Sequence, residues 1–221
     1  MRPRVTTKAI DKAVHDFIVA QGAKPSFLHY SGYPASACIS VNDVVIHGIP
    51  DGYKLKEGDI VSVDVGACWK GFHGDCAATF ACGRISPTAQ KLIDVTKESF
   101  FEGLKFARQG YRISDISHAV QSHVEKNGFS VVRAFVGHGV GENLHEEPEV
   151  PNFGSPGRGP RLVKGMTLAI EPMVNVGGWE VRVLKDRWTT VTVDGSLAAH
   201  YENTVLITDG EPEILTVAEG L

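Results

Sequence analysis

Long hydrophobic runs are missing from this sequence. Although 43% of the residues are hydrophobic, no apolar stretch approaches the roughly 18 residues that a membrane-spanning helix needs. The basic start, residues 1–4, is not followed by the apolar segment of a secretory signal. We therefore expect a globular protein that has no membrane partner and works in the cytoplasm.

Cysteine is scarce, and none of the four cysteines belongs to a Cys-x-x-Cys pair. That absence argues against a zinc ribbon and a thioredoxin-like redox site. In a chain of 221 residues without an export signal, we expect buried, reduced thiols at Cys38, Cys68, Cys76 and Cys82.

An excess of positive charge is also absent. Lys and Arg number 22 against 26 Asp and Glu, which gives a net charge of −4. Nucleic-acid-binding proteins normally present a strongly basic surface. We therefore expect no specific nucleic-acid partner.

What the sequence does contain is an internal repeat. Segments 10–18 and 116–124 share the apolar spacing of an amphipathic helix and lie 106 residues apart. Each segment has a capping residue before it and a glycine after it. The expected caps and stops are Thr6 or Thr7 with Gly22, and Ser114 with Gly128.

A second match strengthens the repeat. Residues 56–64 align with residues 163–171, 107 positions later. Each segment predicts a glycine-led turn and then an apolar strand that ends in a carboxylate. A further strand in each half carries another carboxylate, Asp75 or Glu202, and the second half holds an inserted loop with Trp188.

Together the two matches predict an α+β fold of two pseudo-twofold-related halves, with antiparallel sheet and flanking helices. The halves are about 1–107 and 108–221, and we infer a single catalytic domain over 1–221. A further helix is predicted over about 87–107, capped by Ser86, directly before the repeat helix of the second half. The counterpart of this helix in the first half would fall before Met1, so we expect the first half to lack it. The apolar face that the missing helix would cover is then expected to be exposed or covered by a dimer contact.

The four repeat-related carboxylates predict a metal site. If the pseudo-twofold brings the two hairpins together, Asp64, Asp75, Glu171 and Glu202 converge, and buried carboxylates repel one another. No Lys or Arg lies within three residues of Asp64 or Glu171. Two bound divalent cations would provide the compensation. The alternative is that some of these acids are exposed hairpin residues.

A histidine between glycines refines the metal prediction. His138 follows a strand-like run over 131–136 and stands in Gly137-His138-Gly139. An imidazole beside carboxylates favours Mn, Fe, Co or Zn over Mg or Ca, although a lone histidine there could also be structural. His47 and His145 are interpreted as groups that face the substrate or support the ligands.

These motifs and their neighbours are similar to those of one enzyme family. The segments are YSGYPASACISVN (30–42), HGIP (47–50), VDVG (63–66), GFHGD (71–75), GHGVG (137–141), HEEP (145–148), IEPMVN (170–175) and YENT (201–204). As a set, over nearly the whole chain, they resemble type I methionine aminopeptidases of the creatinase/aminopeptidase superfamily, here with a shortened N-terminus. The resemblance implies the pita-bread fold, a dinuclear metal site, and removal of the initiator methionine from nascent proteins.

The resemblance also implies roles for individual residues. The metal ligands would be Asp64, Asp75, His138, Glu171 and Glu202. A hydroxide that bridges the two cations would attack the first peptide bond, with Glu171 as proton shuttle, His145 as donor to the developing oxyanion and His47 as a group that positions the peptide. The methionine pocket would be formed by Tyr30, Tyr33, Cys38, Leu144 and Trp188. Leu144, Phe27 and Arg187 depart from residues common in the family, which leaves the shape of the pocket open.

Two other functions remain open at this level. A prolidase or aminopeptidase-P-like enzyme would share the five ligands, and a non-catalytic ribosome- or RNA-associated protein could share the fold. The expected partners are nascent polypeptide N-termini, with transient ribosome contact. We expect a monomer, with a dimer as the alternative, and the sequence does not identify the native metal.

Overall fold

The computed structural model of the chain describes residues 1–217. Three α-helices lie in this part of the chain: α1 (Thr7–Ala20), α2 (Pro87–Leu104) and α3 (Ile113–Lys126). A single 3₁₀ turn covers Tyr30–Gly32. None of these helices is long and apolar enough to cross a bilayer.

Fifteen strands are found within residues 1–217. They are β1 (Lys24–Pro25), β2 (Ala37–Val41), β3 (Val44–Ile46), β4 (Ile60–Trp69), β5 (Phe72–Ala81), β6 (Ser130–Val131), β7 (Gly137–Gly139), β8 (Glu146–Val150), β9 (Thr167–Ile170), β10 (Met173–Asn175), β11 (Val181–Val183), β12 (Thr190–Thr192), β13 (Ala198–His200), β14 (Glu202–Leu206) and β15 (Glu213–Ile214). The strand-like run predicted over 131–136 is wrong in extent, because regular pairing is confined to β6 and β7 at its two ends.

The central sheet has the order β1-β4-β5-β14-β9-β7-β8, with β2 also paired to β4 and β15 to β14. All of its pairings are antiparallel. Strands from both predicted halves therefore hydrogen-bond within one sheet. The antiparallel α+β class is confirmed, whereas the division of one domain near residue 107 stays a prediction.

The helices cover the sheet with apolar side chains. Phe100 of α2 and Val120 of α3 are fully buried with Leu168 of β9 in the largest core cluster. In a second cluster, Ile10 and Val14 of α1 pack against a core that contains Ile39 of β2. Burial of side chains of this size contributes roughly 1.5–3 kcal/mol each, which fixes the helices against the sheet that carries the site.

Two of the three predicted helix caps are confirmed. The amide of Ala9 donates to Thr6 Oγ1 at 3.1 Å, and the amide of Ala89 donates to Ser86 Oγ at 3.1 Å. The prediction for α3 is wrong, because this helix begins at Ile113 and Arg112 occupies the cap position. The Arg112 amide donates to the Asp115 carboxylate at 2.8 Å, so an acid inside the first turn satisfies the helix start.

The inserted segment of the second half is a hairpin rather than a loop. Strands β11 and β12 pair with each other, and β12 also pairs with β3 of the first half. The segment is therefore anchored across the molecule, and its turn carries Trp188, whose ring packs against Tyr33.

Candidate metal centre and adjoining cavity

Three of the predicted ligands lie on one face of the central sheet. Asp64 of β4 pairs with Ala77 of β5, and Ala77 pairs with Glu202 of β14. Directly paired residues of an antiparallel sheet project their side chains from the same face. Asp75, two residues before Ala77, shares that face because side chains alternate along a strand.

Strands β9 and β7 extend the same row. Asn203 pairs with Ile170, which sets Glu202 beside Glu171, the residue that follows the end of β9. His138 pairs with Ala169, two residues before Glu171. The structure thus brings all five predicted ligands together. Asp64, however, lies in the middle of β4 and not at a strand end, because this strand continues to the hairpin turn after Trp69.

The ligand atoms are close to one another and largely buried. One group consists of Asp75, His138 and Glu202, and a second consists of Glu171, His200 and Glu202; within each group the atoms lie within 4.8 Å of one another. His138 Nε2 is 3.5 Å from Glu171 Oε1. Glu202 therefore belongs to both groups, whereas Asp64 belongs to neither.

Burial raises the pKa of every carboxyl group in the cluster. Loss of hydration is the largest cause for Asp64, Glu171 and Glu202, and the charges of the neighbouring carboxylates add to it. The pKa of Asp75 is raised by burial to about 7. In the described residues no Lys or Arg forms an ion pair with these groups, so their negative charge lacks a protein counter-charge.

The donor set fits divalent cations. Asp64 Oδ1, Asp75 Oδ1 and Glu202 Oε1 are buried and have no hydrogen-bond partner in the described chain, and such orphaned oxygens are costly unless something binds them. His138 Nδ1 lies 2.8 Å from the carbonyl oxygen of Gly139. Because a carbonyl only accepts, Nδ1 carries the proton and the Nε2 lone pair faces Glu171, which is the tautomer that a metal-ligating histidine needs.

All predicted site residues line a single cavity above this cluster. The lining includes the predicted Tyr30, Tyr33, Cys38, His47, Asp64, Asp75, His138, Leu144, His145, Glu171, Trp188 and Glu202, together with Phe27, Ile46, Phe135 and Val136. Carboxylates and imidazoles form one side of this cavity. The other side is apolar and aromatic.

The apolar side is a cluster of buried side chains. Phe27, Tyr33, Cys38 and Leu144 pack together, with Trp188 against them. The Tyr33 and Trp188 rings meet edge to face at 5.1 Å between centroids. The Tyr33 hydroxyl donates to the backbone carbonyl of Gly48 at 2.9 Å, so it is already engaged in a hydrogen bond within the protein.

His145 and His47 border the cluster from two sides. The His145 ring lies 4.2 Å from the His138 ring, and its Nδ1 is hydrogen-bonded to the Tyr30 hydroxyl at 2.8 Å. Burial lowers the pKa of His145 to about 4, with further lowering by neighbouring histidines, and burial lowers the pKa of His47 to about 4. Both rings are therefore neutral at physiological pH, so in each ring one nitrogen donates a hydrogen bond and the other accepts one.

The backbone at His47 is strained. Its φ of 57° lies in the left-handed region, which a non-glycine residue adopts at a cost of about 1–3 kcal/mol. The next residue must be a glycine, because a side chain at Gly48 would collide with the carbonyl of Ile39. This tight turn directs the His47 ring towards Phe135 and Trp188, at centroid distances of 5.7 and 6.1 Å.

Sequence reasoning missed His200 and Phe135. His200 Nε2 lies 3.5 Å from Glu171 Oε2 and 4.0 Å from Glu202 Oε2. Its nearness to Glu202 in the sequence is the signal that could have found it, although His200 ends β13 and Glu202 begins β14, in two different sheets. No comparable sequence signal marks Phe135, which reaches the cavity from the irregular segment between β6 and β7.

Comparison with known proteins assigns the family. The model of metallopeptidase family M24 matches residues 1–209. Methionine aminopeptidase of Clostridium perfringens is 58% identical over 98% of this chain and 87% of the relative. The crystal structure of methionine aminopeptidase from Thermotoga maritima superposes with a TM-score of 0.96 at 48% identity, over 98% of this chain and 88% of that one.

A prolidase from Pyrococcus furiosus shares the fold alone. It is 20% identical with a TM-score of 0.79, over 99% of this chain and 58% of the prolidase chain. The pita-bread fold implied by the sequence motifs is thereby confirmed. The methionine aminopeptidases are more similar in sequence to this chain than the prolidase is, and they match it over nearly its whole length. This chain therefore belongs to metallopeptidase family M24 and, within it, to the methionine aminopeptidases.

Proposed function

We propose that this protein removes the N-terminal methionine from nascent polypeptides by metal-dependent hydrolysis of the first peptide bond. The observation that carries the proposal is one cavity in which a carboxylate–imidazole cluster adjoins an apolar pocket. The identity to methionine aminopeptidases supports the same conclusion.

We assign five residues as ligands of two divalent cations: Asp64, Asp75, His138, Glu171 and Glu202. The count of two rests on the charge of the four carboxylates, which form no ion pair with Lys or Arg among residues 1–217. Four carboxylates would balance two divalent cations in charge, and the imidazole favours Mn, Fe, Co or Zn. Bound ions of this kind supply Lewis acidity and lower the pKa of a water.

The residues around the ligands handle protons and charge. Glu171 has one oxygen towards His138 and the other towards His200, so its carboxylate can carry a proton from the attacking water towards the leaving amine. His145 is neutral and faces the cluster. It can donate a hydrogen bond from Nε2 to the carbonyl oxygen that becomes negative, provided that Nδ1 accepts from Tyr30.

The apolar side of the cavity binds the methionine side chain. The methionine side chain would contact the aromatic rings of Tyr33 and Trp188, and its sulfur would lie near the sulfur of Cys38. A thioether makes favourable contacts with aromatic rings. The His47 ring lies 6.1 Å from that of Trp188 between centroids and lines the same cavity as the proposed ligands, and we assign it to positioning the substrate.

The partners follow from this activity. The substrates would be N-termini of nascent chains, and we propose that the protein works in the cytoplasm with transient contact to the ribosome. We expect it to act as a monomer.

The activity is tested with peptides on protein loaded with Co, Mn, Fe or Zn in turn. Release of methionine from Met-Ala-Ser, followed by mass spectrometry, supports the proposal. Cleavage of an Xaa-Pro peptide in preference to Met-Ala-Ser would favour the prolidase alternative. Stoichiometric metal binding without cleavage of either peptide would favour a non-catalytic protein.

A further inference from the structure

A buried histidine stands behind the proposed ligands without a role in the chemistry assigned above. The His200 side chain is only 2% exposed. Its Nε2 is buried and has no hydrogen-bond partner in residues 1–217. An imidazole nitrogen without a hydrogen-bond partner destabilises the interior. Its position beside the carboxylates therefore suggests that it contributes to the site.

The neighbours of His200 show which group it faces. Glu171 lies between two imidazoles, with Oε1 at 3.5 Å from His138 Nε2 and Oε2 at 3.5 Å from His200 Nε2. The side-chain amide of Asn152 donates to the backbone carbonyl of Glu171 at 2.9 Å, which holds the backbone of Glu171 and not its carboxylate. His200 is therefore placed to hold the carboxylate itself, from the side opposite His138.

The backbone of His200 is fixed on both edges. Its amide donates to Thr79 Oγ1 at 2.9 Å, and the Thr79 hydroxyl donates back to its carbonyl at 2.9 Å. On the other edge, β13 pairs with β10, with His200 opposite Met173. A ring attached to so rigid a backbone is suited to orient a neighbour, since the position of its nitrogen is determined in advance.

We propose that His200 is a positioning residue whose Nε2–H donates to Glu171 Oε2 and so directs Oε1 towards the metal. The inference rests on the proposed metal site. His200 Nε2 and Glu171 Oε2 are 3.5 Å apart. A movement of less than about 1 Å would bring these two atoms to an ordinary N–H···O hydrogen-bond distance. Ligating carboxylates are held by such outer hydrogen bonds, and loss of one costs about 10–100-fold in metal affinity.

The test measures binding of cobalt(II) to metal-free protein, by calorimetry and by the visible absorption of the bound ion. His200→Leu keeps the volume and removes the nitrogen, whereas His200→Gln keeps an N–H donor and is a poor metal ligand. His118→Gln, on the exposed surface of α3, is the matched control. If His200→Leu does not fold, His200→Ala replaces it.

We expect His200→Leu to weaken cobalt affinity by about 10–100-fold and His200→Gln to stay close to the wild type, with unchanged stoichiometry in both. If both variants lose affinity and alter the cobalt spectrum alike, His200 is a ligand and the proposal is wrong. A lower melting temperature with wild-type affinity would reduce His200 to a packing residue. Because no peptide is used, failure of methionine release would leave this result intact.

Discussion

At the scale of single residues, the charge of one carboxylate decides both stability and activity. Asp64 contributes a buried oxygen that has no hydrogen-bond partner among residues 1–217, and burial, together with the charge of Asp75, raises its pKa. Asp64→Asn keeps the shape but removes a ligand charge. We expect kcat to fall by orders of magnitude, because the bound ions supply the Lewis acidity for the reaction, while the metal-free variant melts no lower than the metal-free wild type because a repulsion has been removed.

The measurement is methionine release at saturating metal together with thermal unfolding in the presence of a chelator. Asp16→Asn is the matched control, since Asp16 is an exposed acid of α1 that pairs with Lys12. Wild-type turnover in the Asp64→Asn protein would contradict the assignment of Asp64 as a ligand.

His145 is expected to act on the reaction without binding the metal. His145→Ala removes the proposed donor to the developing oxyanion, and we expect kcat to fall by roughly 10²–10³-fold. Bound metal, measured by elemental analysis, should remain at the wild-type level. A parallel loss of metal would make His145 a ligand instead.

The hydroxyl of Tyr30 provides an internal check on that role. It is hydrogen-bonded to His145 Nδ1 at 2.8 Å, and it can hold the ring in the tautomer that has its proton on Nε2. Tyr30→Phe should therefore lower kcat in the wild type and have no further effect in His145→Ala. Equal losses in both backgrounds would show that Tyr30 acts independently of His145.

At the scale of elements, the hairpin β11–β12 controls one wall of the pocket. Its turn is held by Asp186, whose carboxylate accepts from the amides of Trp188 and Thr189 at 2.9 Å each. Without this acceptor the turn loosens and Trp188 loses its fixed place against Tyr33. We expect Asp186→Ala to raise KM for methionyl peptides several-fold with little change in kcat, because the ligands are untouched.

Steady-state kinetics on Met-Ala-Ser check this prediction, with Lys185→Ala as the control from the same exposed turn. A fall in kcat at unchanged KM would instead connect the hairpin to the chemical step.

The same hairpin illustrates how far the sequence predicts the elements. Helices α1 and α2 were predictable because their caps, Thr6 and Ser86, and their apolar spacing act locally. The insertion was interpreted as a loop because its strands are short and pair with β3, far away in the chain. Pairing of that kind is tertiary, so local pattern does not reveal it.

At the scale of the whole molecule, the site depends on the register of one sheet. The repeat in the sequence identified two pairs of carboxylates but could not give the pairing of Glu202 with Ala77 that joins the two hairpins. A slip of one residue in this pairing would turn Glu202 to the opposite face. For the same reason His200 went unnoticed, since its approach to Glu171 depends on β13 and β10 together.

Because the site joins both hairpins, the metal should stabilise the entire fold. In the metal-free protein, four carboxylates with raised pKa values lie together without a positively charged partner among residues 1–217. A cation that binds only the folded state at about 100 times its Kd adds roughly 2.7 kcal/mol. For a chain of this size we expect the melting temperature to rise by about 5–11 °C on addition of cobalt(II) and to fall again with chelator. Asp64→Asn should show a smaller rise, since it has lost one ligand charge, whereas Asp16→Asn should match the wild type. A melting temperature that is indifferent to metal in the wild type would mean that the carboxylate cluster is not a cation site at all.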